Sequence, residues 1–382
     1  MTKPVEKIIG ETFLKLADAL DTGSFEAARI VLTGHGSEHG EENMIRGAAL
    51  AAARGIQVIY AGTLAHEGVR TVSAANDSEA RDVMEALLSS GEADGAVTMH
   101  YPFPIGVSTV GRVITPGYGK TMYIATTTGT SSADRVEGMI KNAIYGVVTA
   151  KACGVKDPTV GILNVDGARR TETALKELLS NGYDIKFAQS GRSDGGCIMR
   201  GNDLLAGTCD VLVADPLTGN ILVKMLSAFT TGGSYESLGW GYGPGIGEGF
   251  DKLVLIVSRA SGAPLIANAI EFAAELARGR YKDVAASEFA AARKAKLMEI
   301  LENSREKAAP QAGSAAVAEP PKEVVTAEIS GIEIADIEDA VSALWRAGIY
   351  AQSGMGCTGP VVMVNEAKLE QARGILAAGG YI

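Results

Sequence analysis

Cysteine is scarce in this chain: 382 residues hold four, at positions 153, 197, 209 and 357. No pair has CxxC or zinc-ligand spacing, which argues against a redox dithiol, a zinc ribbon and a disulfide scaffold. Histidine is as scarce, and all four copies lie at or before position 100. The GxSxG match G-R-S-D-G at 191–195 therefore lacks the downstream base that a nucleophile elbow needs. Aromatic residues make up only 5%, and Lys and Arg (35) are outnumbered by Asp and Glu (45), for a net charge of −10. That balance argues against nucleic acid or an anionic membrane as the main partner, while a local positive site for a small anion stays compatible with it. No apolar run is long enough to span a bilayer, and M-T-K-P-V-E-K-I-I-G lacks the apolar core of a signal peptide. A reducing, cytoplasmic setting is expected.

Glycine, at 47 copies, is plentiful, and so are β-branched strands. The spacing of Ile8, Ile9, Phe13, Leu16 and Leu20 predicts an amphipathic helix over 5–20. Strands are predicted at 29–33, 57–61, 95–99, 122–126, 160–165, 184–188, 210–215 and 253–258. Helices are predicted at 42–54, 78–90, 134–153, 168–181, 219–230, 264–278 and 282–308. The alternation implies an α/β fold: a mainly parallel sheet, helices on both faces, ligands at the carboxyl ends of strands. A two-lobed body over 1–307 is expected, its lobe boundary near 150 and the chain crossing back near 260. Residues 308–323 are rich in Ala and Pro and read as a linker. Residues 324–382, with strands at 324–329, 349–352 and 361–364 and helices at 336–347 and 365–378, read as a small α+β module.

Two near-matches fail on spacing. In G-Y-G-K-T (117–121) Ile114 stands where a phosphate loop has its first glycine, and strand rather than helix follows. His35 and His39 sit among glycines 34, 36 and 40, which makes a loop rather than a helical ligand pair, so no metal is expected. The glycine alternation W-G-Y-G-P-G-I-G-E-G (240–249) reads as a flexible loop over a site.

Three blocks point to chemistry. D-P-L-T-G-N, at the end of a buried strand, starts a helix whose free N–H groups, with Thr218, Gly219 and Asn220, suit a phosphate, and Lys224 adds charge one turn on. S-R-A-S-G-A-P places Ser258 and Arg259 at another strand's carboxyl end, where a guanidinium can grip phosphate with two hydrogen bonds. In S-G-M-G-C-T-G-P, Cys357 is flanked by glycines whose N–H groups can converge on an anion and lower a thiol's pKa. Each block also admits a structural reading, as a helix cap, a surface arginine and a small core residue.

T-G-N-I-L-V-K-M and the later S-R resemble the phosphate acetyltransferase family. V-G-I-L-N-V, R-G-N-D-L-L-A-G-T-C-D-V-L-V-A-D-P-L-T-G-N and S-G-A-P-L are closer to the phosphate acyltransferase family of phospholipid synthesis. Both resemblances, over roughly 25–300, imply a two-part α/β/α body related in fold to isocitrate dehydrogenase. The whole chain, with its S-G-M-G-C-T-G-P module, most resembles the alpha subunits of component C of the glycine/sarcosine/betaine reductase complex. That resemblance implies an acyltransferase in which Cys357 carries an acetyl thioester and inorganic phosphate releases it as acetyl phosphate. It implies as partners a component C beta subunit and a selenoprotein component A that donates the acetyl group, within an oligomer and without a cofactor. The choice of amine belongs to another component. Leu265 stands where the acetyltransferases carry a catalytic Asp, and their paired serines have no match, so a protein-bound thioester fits better than free coenzyme A. A lipid-synthesis acyltransferase and a non-catalytic assembly subunit stay open as alternatives.

Overall fold

The computed structural model of the protein describes residues 10, 13–14, 17, 27–192, 196–308, 317–333, 336–356 and 359–382. Most of the helix expected over 5–20, part of the G-R-S-D-G match, much of the linker and Cys357 itself lie outside the described residues.

The body runs β1 (Arg29–Thr33), α1 (Gly40–Ala52), β2 (Gln57–Gly62), β3 (Arg70–Ser73), α2 (Asp77–Ser90), β4 (Gly95–Thr98), β5 (Val107–Ile114), β6 (Thr121–Thr130) and α3 (Arg135–Ala152). It continues with β7 (Thr159–Leu163), α4 (Ala168–Ser180), β8 (Lys186–Phe187), β9 (Ile198–Met199), α5 (Gly201–Ala206), β10 (Val211–Val213) and α6 (Pro216–Ala228). It closes with β11 (Gly243–Ile246), β12 (Val254–Ile256), α7 (Ala263–Arg278), α8 (Tyr281–Lys294) and α9 (Leu297–Ala308). The single helix expected over 282–308 is two, broken where Lys296 takes a positive φ of 65°.

One twelve-stranded sheet carries the body, in the order β3-β2-β1-β4-β12-β11-β5-β6-β10-β7-β8, with β9 on β7. β2, β1, β4 and β12 are parallel, and so are β6, β10 and β7. Between them β11 is antiparallel to both neighbours, and β5 and β6 form an antiparallel hairpin. The two parallel halves therefore run in opposite directions. A single apolar cluster joins them, with Ile30 and Leu32 of one half, Val211 and Val213 of the other, and Ile266, Ile270 and Phe272 of α7.

The glycine-rich stretch 240–249 is not a lid. It enters the middle of the sheet as β11, with Gly243 to Ile246 all buried. Its glycines are needed for close approach: Gly243 has φ 82°, and a Cβ there would lie 1.7 Å from the Val110 carbonyl oxygen. At Gly243 and at Gly245, where a Cβ would stand 2.2 Å from the Phe103 ring, only glycine fits.

After 317 comes a separate unit: β13 (Ala327–Ser330), α10 (Ile337–Arg346), β14 (Ala351–Gly356), β15 (Gly359–Val364) and α11 (Leu369–Ala378). Its antiparallel sheet, in the order β13-β15-β14, and its two helices bury a cluster of their own, including Ile329, Ile332, Leu344, Val362, Val364 and Leu376. Among the described residues, none of the body belongs to that cluster.

Candidate active site

Helix α6 is the element that assembles the site. β10 delivers it, and Asp215 caps it. The Asp215 carboxylate accepts the N–H groups of Leu217 and Thr218 at 3.1 Å each and the Thr218 hydroxyl at 2.5 Å. The free N–H groups expected at this helix start are thus taken within the chain. An aspartate at this position is a strong cap, and its charge opposes a second anion there. Asn220 is likewise engaged, donating its amide to the Thr127 carbonyl at 2.9 Å.

Gly219 is where α6 lies down on β6. A Cβ at this position would stand 1.7 Å from the Thr126 carbonyl oxygen and 2.8 Å from its carbon. Both are backbone atoms of a central strand and cannot step aside. Gly219→Ala is therefore expected to destabilise the body by about 3 kcal/mol or more, read as a lowered denaturant midpoint. An unchanged midpoint would contradict this packing.

Further along, α6 brings Lys224 to the carboxyl end of β12, about 9 Å beyond Thr218 at 1.5 Å per residue. There two of the expected residues meet: the Lys224 ammonium lies 3.5 Å from the Ser258 hydroxyl. Beside Lys224 sits a residue that the sequence did not single out. Glu236 is 1% exposed, yet it carries a carboxylate. It receives Lys224 Nζ at 3.1 Å, the Tyr242 hydroxyl at 3.2 Å and the Ser261 hydroxyl at 3.3 Å. Its backbone is tied to the same turn, donating to the Ala260 carbonyl and accepting from Gly262. An isolated glutamate in a Ser/Gly loop gives no motif, which is why only the fold reveals it.

The turn after β12 is held from several sides. Ser261 Oγ accepts the N–H of Ser258, and Ser258 Oγ accepts that of Ala260. The first turn of α1 adds Asn43, which donates to the Ser261 carbonyl and accepts from Ala263, while Glu38, in the loop after β1, donates its N–H to the Arg259 carbonyl. The Arg259 backbone is thereby fixed. Its side chain is exposed, and the guanidinium has no hydrogen bond or ion pair among the described residues. With Lys224 paired to Glu236, the exposed Arg259 guanidinium supplies the net positive charge at this strand end, and Lys224 and the Ser258 hydroxyl add donors beside it. Such a group of donors can hold a tetrahedral oxyanion.

The remaining candidates lie elsewhere. Lys120, in the β5–β6 turn, stands 3.5 Å from the Gly207 carbonyl. His35 and His39 contact the carbonyls of Ala74 and Ala260. No metal-ligand cluster is found among the described residues. Burial pushes the thiols of Cys153, Cys197 and Cys209 up to about 12 each, with a nearby carboxylate adding to the rise in every case: Glu275, Glu172 and Asp210 respectively. At neutral pH these three are protonated and non-nucleophilic.

Residues 28–363 match the family described as "Fatty acid synthesis protein". The chain is 56% identical over 381 residues to the glycine/sarcosine/betaine reductase complex component C subunit alpha of Peptoclostridium acidaminophilum, covering 99% of both chains. It is 39% identical over 88 residues to a phosphate acyltransferase of Thermosipho africanus, 23% of this chain and 26% of that one. Among solved structures, a branched-chain phosphotransacylase from Enterococcus faecalis V583 superposes with a TM-score of 0.45 at 17% identity, over 65% of this chain and 98% of that one.

Proposed function

Because the chain belongs to the family of glycine/sarcosine/betaine reductase complex component C alpha subunits, we propose that it makes acetyl phosphate by phosphorolysis of an acetyl thioester carried on Cys357. The observation that bears most weight is the positive turn after β12. Lys224, paired with the buried Glu236, lies beside Ser258, and the next residue, Arg259, has a fixed backbone and an exposed side chain.

Phosphate sits against Lys224, Ser258 and Arg259. Thr218, Gly219 and Asn220 act one step back, by fixing the start and bearing of α6. A phosphate oxygen attacks the thioester carbonyl and a C–O bond forms. The tetrahedral oxyanion is stabilised by N–H groups of the glycine-rich segment around Cys357, at about 3 kcal/mol per donor. The C–S bond then breaks, acetyl phosphate leaves, and Cys357 returns as thiolate. A thiolate is a good leaving group, so no general acid is required at this step. The acetyl group arrives from the selenoprotein component A, with the component C beta subunit as the neighbouring partner. The raised thiol pKa values of the half-buried Cys153 and the buried Cys197 and Cys209 support assigning the acyl group to Cys357.

Arsenate tests the reading. It replaces phosphate in attack on a thioester and gives a product that hydrolyses at once. The protein is expected to break down acetyl phosphate in an arsenate-dependent way, with added phosphate competing. Loss of acetyl phosphate no faster than in buffer, with or without arsenate, would favour an assembly subunit that keeps the fold without the activity.

A further inference from the structure

Helix α4 starts badly on its own terms. Its N-cap is Gly167, at φ 89°, with no side-chain cap and no acidic residue in the first turn. Arg169 and Arg170 occupy that turn instead, where the helix dipole disfavours cations. Three helices of the body are capped by a side chain of their own N-cap residue: α2 by Asn76, α3 by Asp134 and α6 by Asp215. The N–H groups of α4 are taken by a residue from the far end of the chain. Glu333, in the module between β13 and α10, accepts the Gly167 N–H at 2.8 Å and the Arg169 N–H at 2.6 Å. Its carboxylate is 8% exposed.

The surroundings are complementary in charge but incompletely satisfied. Arg170 of the body acts electrostatically on both Glu333 and Asp336 of the module. The Arg169 guanidinium is turned to Glu172 on its own helix, at 3.0 Å. Asp166 Oδ1 and Arg170 Nε are buried here without hydrogen-bond partners among the described residues. Burial raises the Glu333 carboxyl above its ordinary value, more than the two N–H bonds lower it. Docking thus desolvates a carboxylate at a cost its hydrogen bonds do not fully offset. The module's apolar core, meanwhile, is complete without the body.

We propose that the start of α4 is the body's docking surface for its own C-terminal module, and that Glu333 is a releasable latch on it. Docked, the carboxylate caps α4. Released, the module keeps its own fold, because its apolar cluster is its own. α4 follows β7 and α6 follows the adjacent parallel β10, so both helices start at the carboxyl ends of neighbouring strands. This inference stands apart from the acetyl-transfer reading, since it is tested without turnover.

The experiment is hydrogen exchange with limited proteolysis on the full-length protein and on Glu333→Gln and Glu333→Ala. In the wild type, the Gly167 and Arg169 amides should exchange faster than Leu175 and Leu178 inside α4, through opening of the latch. In Glu333→Ala those two amides, and cleavage within 309–326, should speed up by about tenfold or more. The α4 interior and β15, at Val362 and Val364, should be unchanged. Glu333→Gln should fall between, since its amide oxygen still accepts. Wild-type protection at Gly167 and Arg169 equal to the α4 interior would overturn the proposal, as would no change in the variants. Faster exchange spread through α4 and β15 would also overturn it, making Glu333 a folding residue and not a latch.

Discussion

Acetyl phosphate turnover is expected to fall to background in Cys357→Ala, with the denaturation midpoint unchanged. The expectation rests on thiol chemistry as well as on sequence. Only a thiolate attacks or leaves at a useful rate, and a thiol with a pKa near 12 is ionised to about one part in 10⁵ at pH 7. Cys153, Cys197 and Cys209 are in that state because burial and nearby carboxylates both disfavour the charge. Their replacement by alanine should cost stability, on the order of 1 kcal/mol, and spare turnover. Native-state alkylation should correspondingly mark Cys357 before the other three. A Cys357→Ala protein that turns over normally, while one of the other cysteine variants does not, would move the nucleophile.

Arg259→Ala is expected to raise the phosphate concentration needed for half-maximal rate by about thirtyfold, from loss of a charge-assisted contact worth about 2 kcal/mol. Stability should not change, because the side chain is exposed and unpartnered among the described residues, while its backbone carbonyl still accepts from Glu38. Lys224→Ala should act in the same direction. It also leaves Glu236 buried with one partner fewer, so its effect should be mixed with a loss of stability. The two variants therefore separate the roles: Arg259 binds, while Lys224 both binds and satisfies a buried charge. An unchanged phosphate dependence in both would place the anion elsewhere, with Lys120 the next candidate.

The parallel halves of the sheet were legible in the sequence because their strands are apolar and β-branched and end in turn residues. R-I-V-L-T and V-G-I-L are such cases, and the helices between them announce themselves by period. The antiparallel centre was not legible, for two physical reasons. β11 is built of glycine and proline, which read as loop, yet the backbone must pass close to Val110 and Phe103 and tolerates little else there. β5 carries Arg112 in its middle, which breaks the apolar pattern. The structure shows its guanidinium between the rings of Trp240 and Phe272, at 4.1 and 4.2 Å, and paired with Glu275 at 2.6 Å. Such a site exists only once three distant segments have met.

The candidate site divides in the same way. Lys224, Ser258 and Arg259 were visible as residues at strand and helix ends. Their meeting point was not, since Glu236 arrives from a loop without pattern. The start of α6 looked open to an anion because the cap by Asp215 depends on side-chain geometry and not on spacing alone. The same limit hid Glu333, whose partners lie 164 and 166 residues away.

The central claim is that an acetyl group rests on Cys357 between donor and phosphate. It is tested most directly by peptide-resolved mass measurement of the protein after brief incubation with acetyl phosphate at low phosphate concentration. The account predicts one acetyl group on the peptide containing Cys357, lost on adding phosphate or neutral hydroxylamine. An acetyl group on Cys153, Cys197, Cys209 or Lys224 instead, or turnover with no adduct at Cys357, would contradict it.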